Sequence, residues 1–204
     1  MAKKERLFKQ YISEYTQCKD DDEREVVRLK VWDELGENRA TLITDMTGFT
    51  HKSHQYGSVH YLSMIAMVEE VVREIVTAYE GVVVKCEADN TFNVFKDAKE
   101  AIDASFSINR ALEKKNISLD EKFHLAVSCG VAYGTILVLE NDIYGQSVII
   151  ASKLGEDVAK KGEVLVSKEA FDSIDKTVYT KTQTTLELSK VEVECYYILE
   201  GTTC

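Results

Sequence analysis

The order of predicted strands and helices after residue 38 constrains the fold of this chain more than any other feature. Apolar periodicity predicts a strand, a long helix, two strands about a tight turn, a second helix and a further stretch of one or two strands, at residues 39–45, 58–81, 82–95, 97–115 and 123–140. This order is typical of a ferredoxin-like α+β fold. We therefore predict a mostly antiparallel sheet with helices covering one face.

Further elements follow this core. In the long helix, Gly81 is the predicted stop. The apolar residues expected on one side of that helix are Leu62, Ile65, Val68, Val72, Ile75 and Val76. Downstream, the pattern predicts a helix, a strand, a short helix and two closing strands, at residues 147–162, 163–167, 168–174, 184–188 and 193–199.

The N-terminal segment differs from the rest of the chain. Residues 4–18 carry four apolar or thiol side chains at helical spacing, and the acidic stretch "KDDDERE" follows them. We expect an N-terminal helical extension and connector over residues 1–38 and a compact domain over residues 39–204. The 204 residues of the chain are enough for one large domain with a substantial core.

Charge and hydropathy argue against several classes of protein. The net charge of −10 argues against broad binding to nucleic acid or to anionic membranes. No apolar run approaches the roughly 20 residues of a membrane span, and the start, "MAKKERLFKQ", lacks the apolar core of a signal peptide. Five scattered cysteines without a CxxC pair are typical of cytosolic thiols. These features predict a cytoplasmic protein.

One strand ends in an acid and a glycine turn, in "ITDMTGFT". Asp45 closes the apolar run and Gly48 follows it in the turn. Asp45 either hydrogen-bonds the backbone of the turn as a cap, or serves as an oxygen ligand of a cation while the free N–H groups of the turn face phosphate.

A second acid, Asp89, lies in the turn of "KCEADNTFNVF". By itself it is an ordinary turn residue. If the first strand lies beside this hairpin, however, Asp45 and Asp89 meet at one edge of the sheet. With the backbone carbonyl of Met46 they form a hard oxygen site suited to Mg²⁺ or Mn²⁺ and to a metal-bound triphosphate. The pair therefore favours the metal interpretation.

Five segments in order resemble the catalytic domain of class III adenylate/guanylate cyclases, from about Ala40 to Leu199. They are "LITDMTGFT", "VVKCEADNTFNVF", "AVSCGVAYG", "DIYGQSVIIASKL" and "GEVLVSKEAF". The resemblance implies the class III cyclase fold and a reaction in which a nucleoside triphosphate gives a 3′,5′-cyclic nucleotide and pyrophosphate. It also implies a two-metal site holding Mg²⁺ or Mn²⁺.

The same resemblance implies roles for individual residues. Asp45 and Asp89 match the metal-binding acids, and Lys85 and Asp142 match the base-reading pair. The phosphate cradle would comprise Met46, Thr47, Gly48, Phe49 and Thr50, with Lys190 as a further phosphate contact. A lysine donor and an aspartate acceptor complement adenine, whereas the O6 atom of guanine would face a carboxylate, so ATP is the expected substrate.

The resemblance further implies a homodimer with active sites at its interface. In the family, one subunit supplies the metals and the other the base readers. A leading helix in such proteins often joins a regulatory domain, so we expect the N-terminal helix to meet a regulatory partner.

The sequence departs from the family pattern in the segment "VIIASK". Ile149 stands where the family has an asparagine, and Lys153 where it has an arginine. Isoleucine cannot hydrogen-bond, and lysine lacks the planar fork of arginine. Ala88 also replaces the glycine before the second acid.

These departures leave three interpretations open. In the first, the chain is an atypical active cyclase in which Lys153 or Gln146 replaces the lost donors, or whose substrate is a pyrimidine or other nucleotide. In the second it is a pseudo-cyclase that binds metal–nucleotide, and in the third it is one half of a heterodimer. Slow turnover by this chain alone is the expected consequence, because one lost transition-state donor costs about 10²–10³ in rate.

Overall fold

The computed structural model describes residues 2–48, 54–175, 178–188 and 191–200. Its α-helices are α1 (Ala2–Gln17), α2 (Asp21–Leu35), α3 (Ser58–Ala78), α4 (Ala98–Asn116), α5 (Gln146–Lys153) and α6 (Lys168–Asp172). A 3₁₀ turn spans Glu121–Phe123, and a π-helical turn spans Leu154–Val158. The strands are β1 (Gly36–Met46), β2 (Val82–Glu87), β3 (Asn90–Phe95), β4 (Val127–Val138), β5 (Ile143–Tyr144), β6 (Val164–Ser167), β7 (Tyr179–Leu188) and β8 (Val191–Glu200).

One eight-stranded sheet organises the described residues. Its order is β2-β3-β1-β4-β6-β8-β7, with β5 paired to β4. β4 and β6 run parallel, and the other strand pairs of the described residues are antiparallel. The predicted ferredoxin-like α+β fold, with a mostly antiparallel sheet, is confirmed.

The two faces of the sheet bury different helices. Side chains alternate along β1, so that Leu42 packs into a core cluster with Val72 of α3 and Ile102 of α4. The next residue, Ile43, points to the opposite face, where Ala151 of α5 lies in the same cluster. The sheet is therefore covered by α3 and α4 on one face and by α5 on the other, so the prediction that helices cover one face is wrong.

Helix α3 departs from its predicted face at one end. Val68, Val72 and Val76 are buried as predicted, and Met64 is buried with them. Leu62, expected on the same side, is 58% exposed.

The end of α3 is made differently from the prediction. The helix ends at Ala78, and Glu80, not Gly81, adopts the left-handed conformation, with φ of 56°. Gly81 is required for another reason. A Cβ atom at residue 81 would lie 2.4 Å from a ring carbon of Phe95 and would clash with it. Only glycine lets the backbone at this position pack against the Phe95 ring.

Three other boundaries also differ. Of the predicted strand region 123–140, residues 127–138 form the single strand β4, and Phe123 belongs to the preceding 3₁₀ turn. The helix predicted over 147–162 is α-helical only to Lys153, where the π-helical turn takes over. The tight turn predicted at 88–91 comprises only Ala88 and Asp89, because Asn90 already pairs with Glu87.

The N-terminal residues form a helical hairpin of α1 and α2. Tyr11 of α1 is buried in one cluster with Val27 and Val31 of α2 and with Leu137 of β4. Gly36 ends α2 and begins β1 directly, and a Cβ there would lie 2.4 Å from the Trp32 carbonyl oxygen. The domain boundary after residue 38 stays a prediction.

No described helix has the length and apolar character needed to span a bilayer.

Candidate active site

Two acids from neighbouring parts of the sheet come together at one edge. Asp45 is the penultimate residue of β1, and Asp89 lies in the turn between β2 and β3. β3 pairs with β1 up to Thr44 and Thr91, so the turn lies next to the end of β1. Burial, followed by the nearby charge of Asp89, is the main cause that raises the pKa of Asp45 to about 7. The structure thus brings these two predicted residues together.

A buried polar network fixes the strands behind the acids. The hydroxyl oxygens of Thr44 and Thr91 lie 2.8 Å apart, across the β1–β3 pair. The Asn93 amide donates to the Leu42 carbonyl at 3.0 Å and to the Thr91 hydroxyl at 2.8 Å. The side chains of Thr44, Thr91 and Asn93 are buried. Polar groups in such a place lock the register of the two strands, because a slip would leave them unpaired.

The turn after Asp45 is only partly described. Gly48 has φ of +80° with open space around it, so glycine is needed for the backbone conformation. Thr47 donates its backbone N–H and its hydroxyl to the Ala126 carbonyl, each at 3.1 Å. The expectation that the Thr47 N–H is free for phosphate is therefore wrong, because the contact between β1 and the segment before β4 continues past Met46. Phe49, Thr50 and Lys190 lie outside the described residues.

Two further acids, which the sequence analysis missed, lie near Asp45. The charges of Glu156 and Asp157 add to the rise in the pKa of Asp45. They belong to the π-helical turn, which approaches β1 closely because Gly155 has no side chain. A Cβ at Gly155 would lie 3.0 Å from the Ile43 carbonyl oxygen. A glycine inside a predicted helix was the available signal for this close approach.

The chemistry of the strand-end acids suits a divalent cation. Carboxylates that repel one another are stabilised by a nearby cation, and carboxylate and carbonyl oxygens are the ligands that Mg²⁺ and Mn²⁺ prefer. Asp45, Asp89 and the Met46 carbonyl are the candidate ligands. Within the described ranges, no group of three or more His, Cys, Asp or Glu side chains is placed to hold a metal. The donor set therefore depends on the backbone carbonyl and on a ligand from outside these side chains, such as phosphate.

Lys85 and Asp142 form the second predicted pair, and the structure brings them into contact. The Lys85 ammonium lies 3.1 Å from Asp142 and 3.0 Å from Glu87. It also lies 4.5 Å from the centre of the Phe92 ring, which faces it from β3. Burial acts to lower the pKa of Lys85, but the hydrogen bonds to both carboxylates outweigh it, and the net shift is upward. Lys85 is therefore held as a cation.

The Asp142 carboxylate is held by three donors. Oδ1 accepts from the Ile143 N–H at 2.9 Å and faces Lys85, and Oδ2 accepts from the Tyr144 hydroxyl at 2.9 Å. Burial acts to raise the pKa of Asp142, and these partners outweigh it and lower the pKa. Glu87 and Tyr144 were not predicted. For Glu87, the available signal was its spacing of two residues from Lys85, because alternate residues of a strand share a face.

The two departed positions lie on the accessible side of α5. Ile149 is 50% exposed. Lys153 is bound within its own chain, with its ammonium 2.6 Å from Asp157 one helical turn ahead. The structure thus presents an apolar group and a self-paired cation on this side of the helix.

Comparison with protein families gives one match over most of the chain. The family model of the adenylate and guanylate cyclase catalytic domain matches residues 34–200. Among curated proteins, the chain is 26% identical over 143 residues to one named "Putative adenylate cyclase 3" from Rhizobium meliloti (strain 1021). That match covers 70% of this chain and 24% of the relative, so the chain spans about a quarter of the relative's length.

Solved structures share the fold at low identity. The adenylyl cyclase CyaB from P. aeruginosa superposes with a TM-score of 0.71 at 18% identity, covering 82% of this chain and 97% of that one. The guanylyl cyclase Cya2 superposes with a TM-score of 0.72 at 16% identity, covering 82% and 95%. Since the names of these two neighbours specify different purines, the fold does not distinguish between adenine and guanine.

Proposed function

The chain belongs to the adenylate and guanylate cyclase catalytic domain family, and on that premise we propose that it converts a nucleoside triphosphate, preferably ATP, to a 3′,5′-cyclic nucleotide and pyrophosphate. The observation that carries this proposal is the meeting of Asp45 and Asp89 at the edge of β1 and β3. The buried Thr44–Thr91 contact keeps those two strands in register. The product would serve intracellular signalling.

Each strand-end residue has a defined part in this reaction. Asp45, Asp89 and the Met46 carbonyl would hold Mg²⁺ or Mn²⁺ in a two-metal site. When bound, such ions promote ionisation of the ribose 3′-hydroxyl and offset charge on the triphosphate. The hydroxyl oxygen forms a bond to the α-phosphorus, and the bond from that phosphorus to the bridging oxygen of pyrophosphate breaks. Phosphate contacts are proposed for the turn from Gly48 to Thr50 and for Lys190.

Base selection is proposed for Lys85 and Asp142. The ammonium would donate to a ring nitrogen of adenine, and the carboxylate would accept from the N6 amine. Guanine would place its O6 atom against a carboxylate that has no proton to give, which leaves polar groups unpaired. The contacts of Lys85 with Asp142, Glu87 and Phe92 support a fixed position for this reader.

Cyclase domains of this family commonly dimerise, and we propose a homodimer with the active sites at its interface. The half-exposed Ile149 is an apolar group available to such an interface. A regulatory partner that acts through the N-terminal helical hairpin is part of the same proposal.

One observation favours a second candidate function. Lys153, the only basic residue at the departed positions, is already paired with Asp157, and Ile149 has no hydrogen-bonding group. A pseudo-cyclase that binds metal–nucleotide with little turnover fits these two facts. A heterodimer, in which another cyclase-like chain supplies the missing asparagine and arginine, fits them equally.

The decisive experiment measures cyclic nucleotide formation from ATP, GTP, CTP and UTP with Mn²⁺, alongside the affinity for each nucleotide. Slow formation of cyclic AMP with preferential ATP binding supports the proposed function. Binding without product identifies the pseudo-cyclase, unless addition of a second cyclase-like chain restores turnover. Absence of both binding and product refutes the nucleotide site.

A further inference from the structure

Helix α1 is docked on the segment that carries Asp142. Lys4 pairs with Glu37 at the start of β1, at 2.5 Å. The Glu5 carboxylate accepts from the Glu140 N–H, just before Asp142, at 3.4 Å. These contacts place the first turns of the N-terminal hairpin beside the loop that leads into β5.

The aromatic contact between α1 and β5 extends this docking to Tyr144. The rings of Phe8 and Tyr144 are stacked, with centroids 6.0 Å apart and an interplanar angle of 15°. The Tyr144 side chain is otherwise largely open to solvent, since the residue is 45% exposed. The other end of the ring, the hydroxyl, donates to Oδ2 of Asp142 at 2.9 Å. The orientation of this tyrosine is thus set by Phe8 on its face and by Asp142 at its tip.

Tyr144 restricts the rotation of the Asp142 carboxylate, which the other partners of Asp142 do not restrict. The Ile143 N–H and Lys85 both lie at Oδ1, whereas the Tyr144 hydroxyl lies at Oδ2. Rotation about the terminal torsion of an aspartate is soft, so donors at one oxygen alone do not fix the plane of the carboxylate. The third donor, at the second oxygen, does fix it.

We propose that Tyr144 is a positioning residue that orients the Asp142 carboxylate, and that helix α1 holds Tyr144 in place through Phe8. The consequence for base selection rests on the proposed function, in which Asp142 accepts from the base. A partner that displaces α1 would then loosen the discrimination between purines. It would leave the strand-end acids in place, because α1 pairs with the first residues of β1 and the acids lie at the other end of that strand.

The first test needs no nucleotide. The titration of the Asp142 carboxylate is followed by NMR in wild type, Tyr144→Phe, Phe8→Ala and a control variant. The control is Tyr15→Phe, which removes the hydroxyl of a half-exposed tyrosine on α1. Loss of a donor to the carboxylate destabilises its charged form. The pKa of Asp142 is therefore expected to rise in Tyr144→Phe, to rise less in Phe8→Ala, and to stay unchanged in Tyr15→Phe.

The other groups that face this carboxylate are the same in every variant. They are Lys85 and, beyond it, Glu87. The charge of Glu5, on α1, contributes to raising the pKa of Tyr144. An unchanged Asp142 titration in Tyr144→Phe overturns the positioning role, and an unchanged titration in Phe8→Ala overturns the link to α1. Phe8→Leu, which keeps most of the apolar volume, replaces Phe8→Ala if the latter does not fold.

The second test measures the ratio of ATP to GTP affinity with Mn²⁺ in the same variants. The ratio is expected to fall about fivefold in Tyr144→Phe, the effect of one hydrogen bond, with Mn²⁺ affinity unchanged. A ratio that stays at the wild-type value, when wild type does discriminate, overturns the proposed effect on base selection. If the Asp142 titration shifts as expected while wild type binds neither nucleotide, the positioning role is supported and the proposed function fails.

Discussion

The candidate site has two sides that are built in different ways. The strand side, comprising Asp45, Asp89, Lys85 and Asp142, lies on or beside paired strands and is braced by other side chains. The helix side, comprising Ile149 and Lys153, lies on the accessible surface of α5. On the strand side, the Asp142 carboxylate and the Lys85 ammonium are each oriented by several partners. On the helix side, the cation has its partner on its own helix.

This difference separates binding from turnover. Groups held by strand register keep their positions without ligand, which lowers the cost of ordering a site when substrate arrives. An exposed ion pair such as Lys153–Asp157 contributes little to the stability of the fold, because water and salt screen the two charges. A chain with an ordered strand side and a depleted helix side is expected to bind nucleotide well and to turn it over slowly.

Removing the acids breaks the strand side and has the largest expected effect. The double variant Asp45→Asn, Asp89→Asn should lose roughly 10³-fold or more in turnover, since even one charge-stabilising group contributes about 10²–10³. Titration of Mn²⁺–nucleotide against wild type and the double variant measures the loss of binding directly. Glu156→Gln, which alters a neighbouring acid, is the control. Equal affinity of wild type and the double variant would contradict the metal assignment.

Restoring the family's two donors on the helix side is expected to have the second largest effect. Ile149→Asn with Lys153→Arg should raise kcat by roughly 10²-fold while changing substrate affinity little, because the added donors act mainly in the transition state. Single-turnover assays of both single variants and the double measure it. If wild type already turns over at about 1–10³ per second, other groups supply the missing donors. If the double variant binds ATP, dimerises and stays inactive, the strand side is incompetent as well.

Reversing the charge of the base reader sharpens the contrast within the strand side. Lys85→Glu should abolish the preference for ATP, a change of about tenfold or more, because a hydrogen bond to a charged group contributes about 1.5–3 kcal/mol. Competition between ATP and GTP for the Mn²⁺-loaded protein provides the measurement. Lys96→Glu, directly after β3 and outside the contacts of Lys85, controls for the change of charge. Equal binding of both purines by wild type would refute the assignment, as would a preference for a pyrimidine.

The smallest expected effect concerns the turn that carries Asp89. Ala88 has φ of 53°, a left-handed conformation that costs an alanine roughly 1–2 kcal/mol relative to its usual backbone. Ala88→Gly should therefore raise the free energy of unfolding by about 1 kcal/mol, as measured by urea denaturation. Glu80→Gly, at a residue with φ of 56° at the end of α3, is a matched control away from the acids. A stability gain at residue 80 alone would mean that the turn at 88 is not strained.

The sequence predicted the parts that depend on strand order and period. Asp45 and Asp89 could be placed together because the first strand and the hairpin lie side by side in a ferredoxin-like fold. Each acid follows directly after the apolar or alternating part of its strand, so both were expected at the same edge of the sheet. Glu156 and Asp157 could not be placed, because they approach Asp45 only through a π-helical turn seated on Gly155. The exposure of Leu62 and the left-handed Glu80 depend on which neighbours pack against α3, and periodicity does not encode those neighbours.

The pairing of β1 has a consequence for how the protein folds. Asp89 lies in a hairpin of strands adjacent in sequence, so its turn can form as soon as that segment exists. Asp45 lies on β1, and all eleven residues of β1 pair with residues of β4, which lies far along the chain. Contacts between distant segments form slowly, because the intervening loop must close before they stabilise the chain. During synthesis, the β1–β3 pairing that brings Asp45 beside Asp89 can form before β4 has left the ribosome, whereas the longer β1–β4 register that holds Asp45 in the sheet is completed only afterwards.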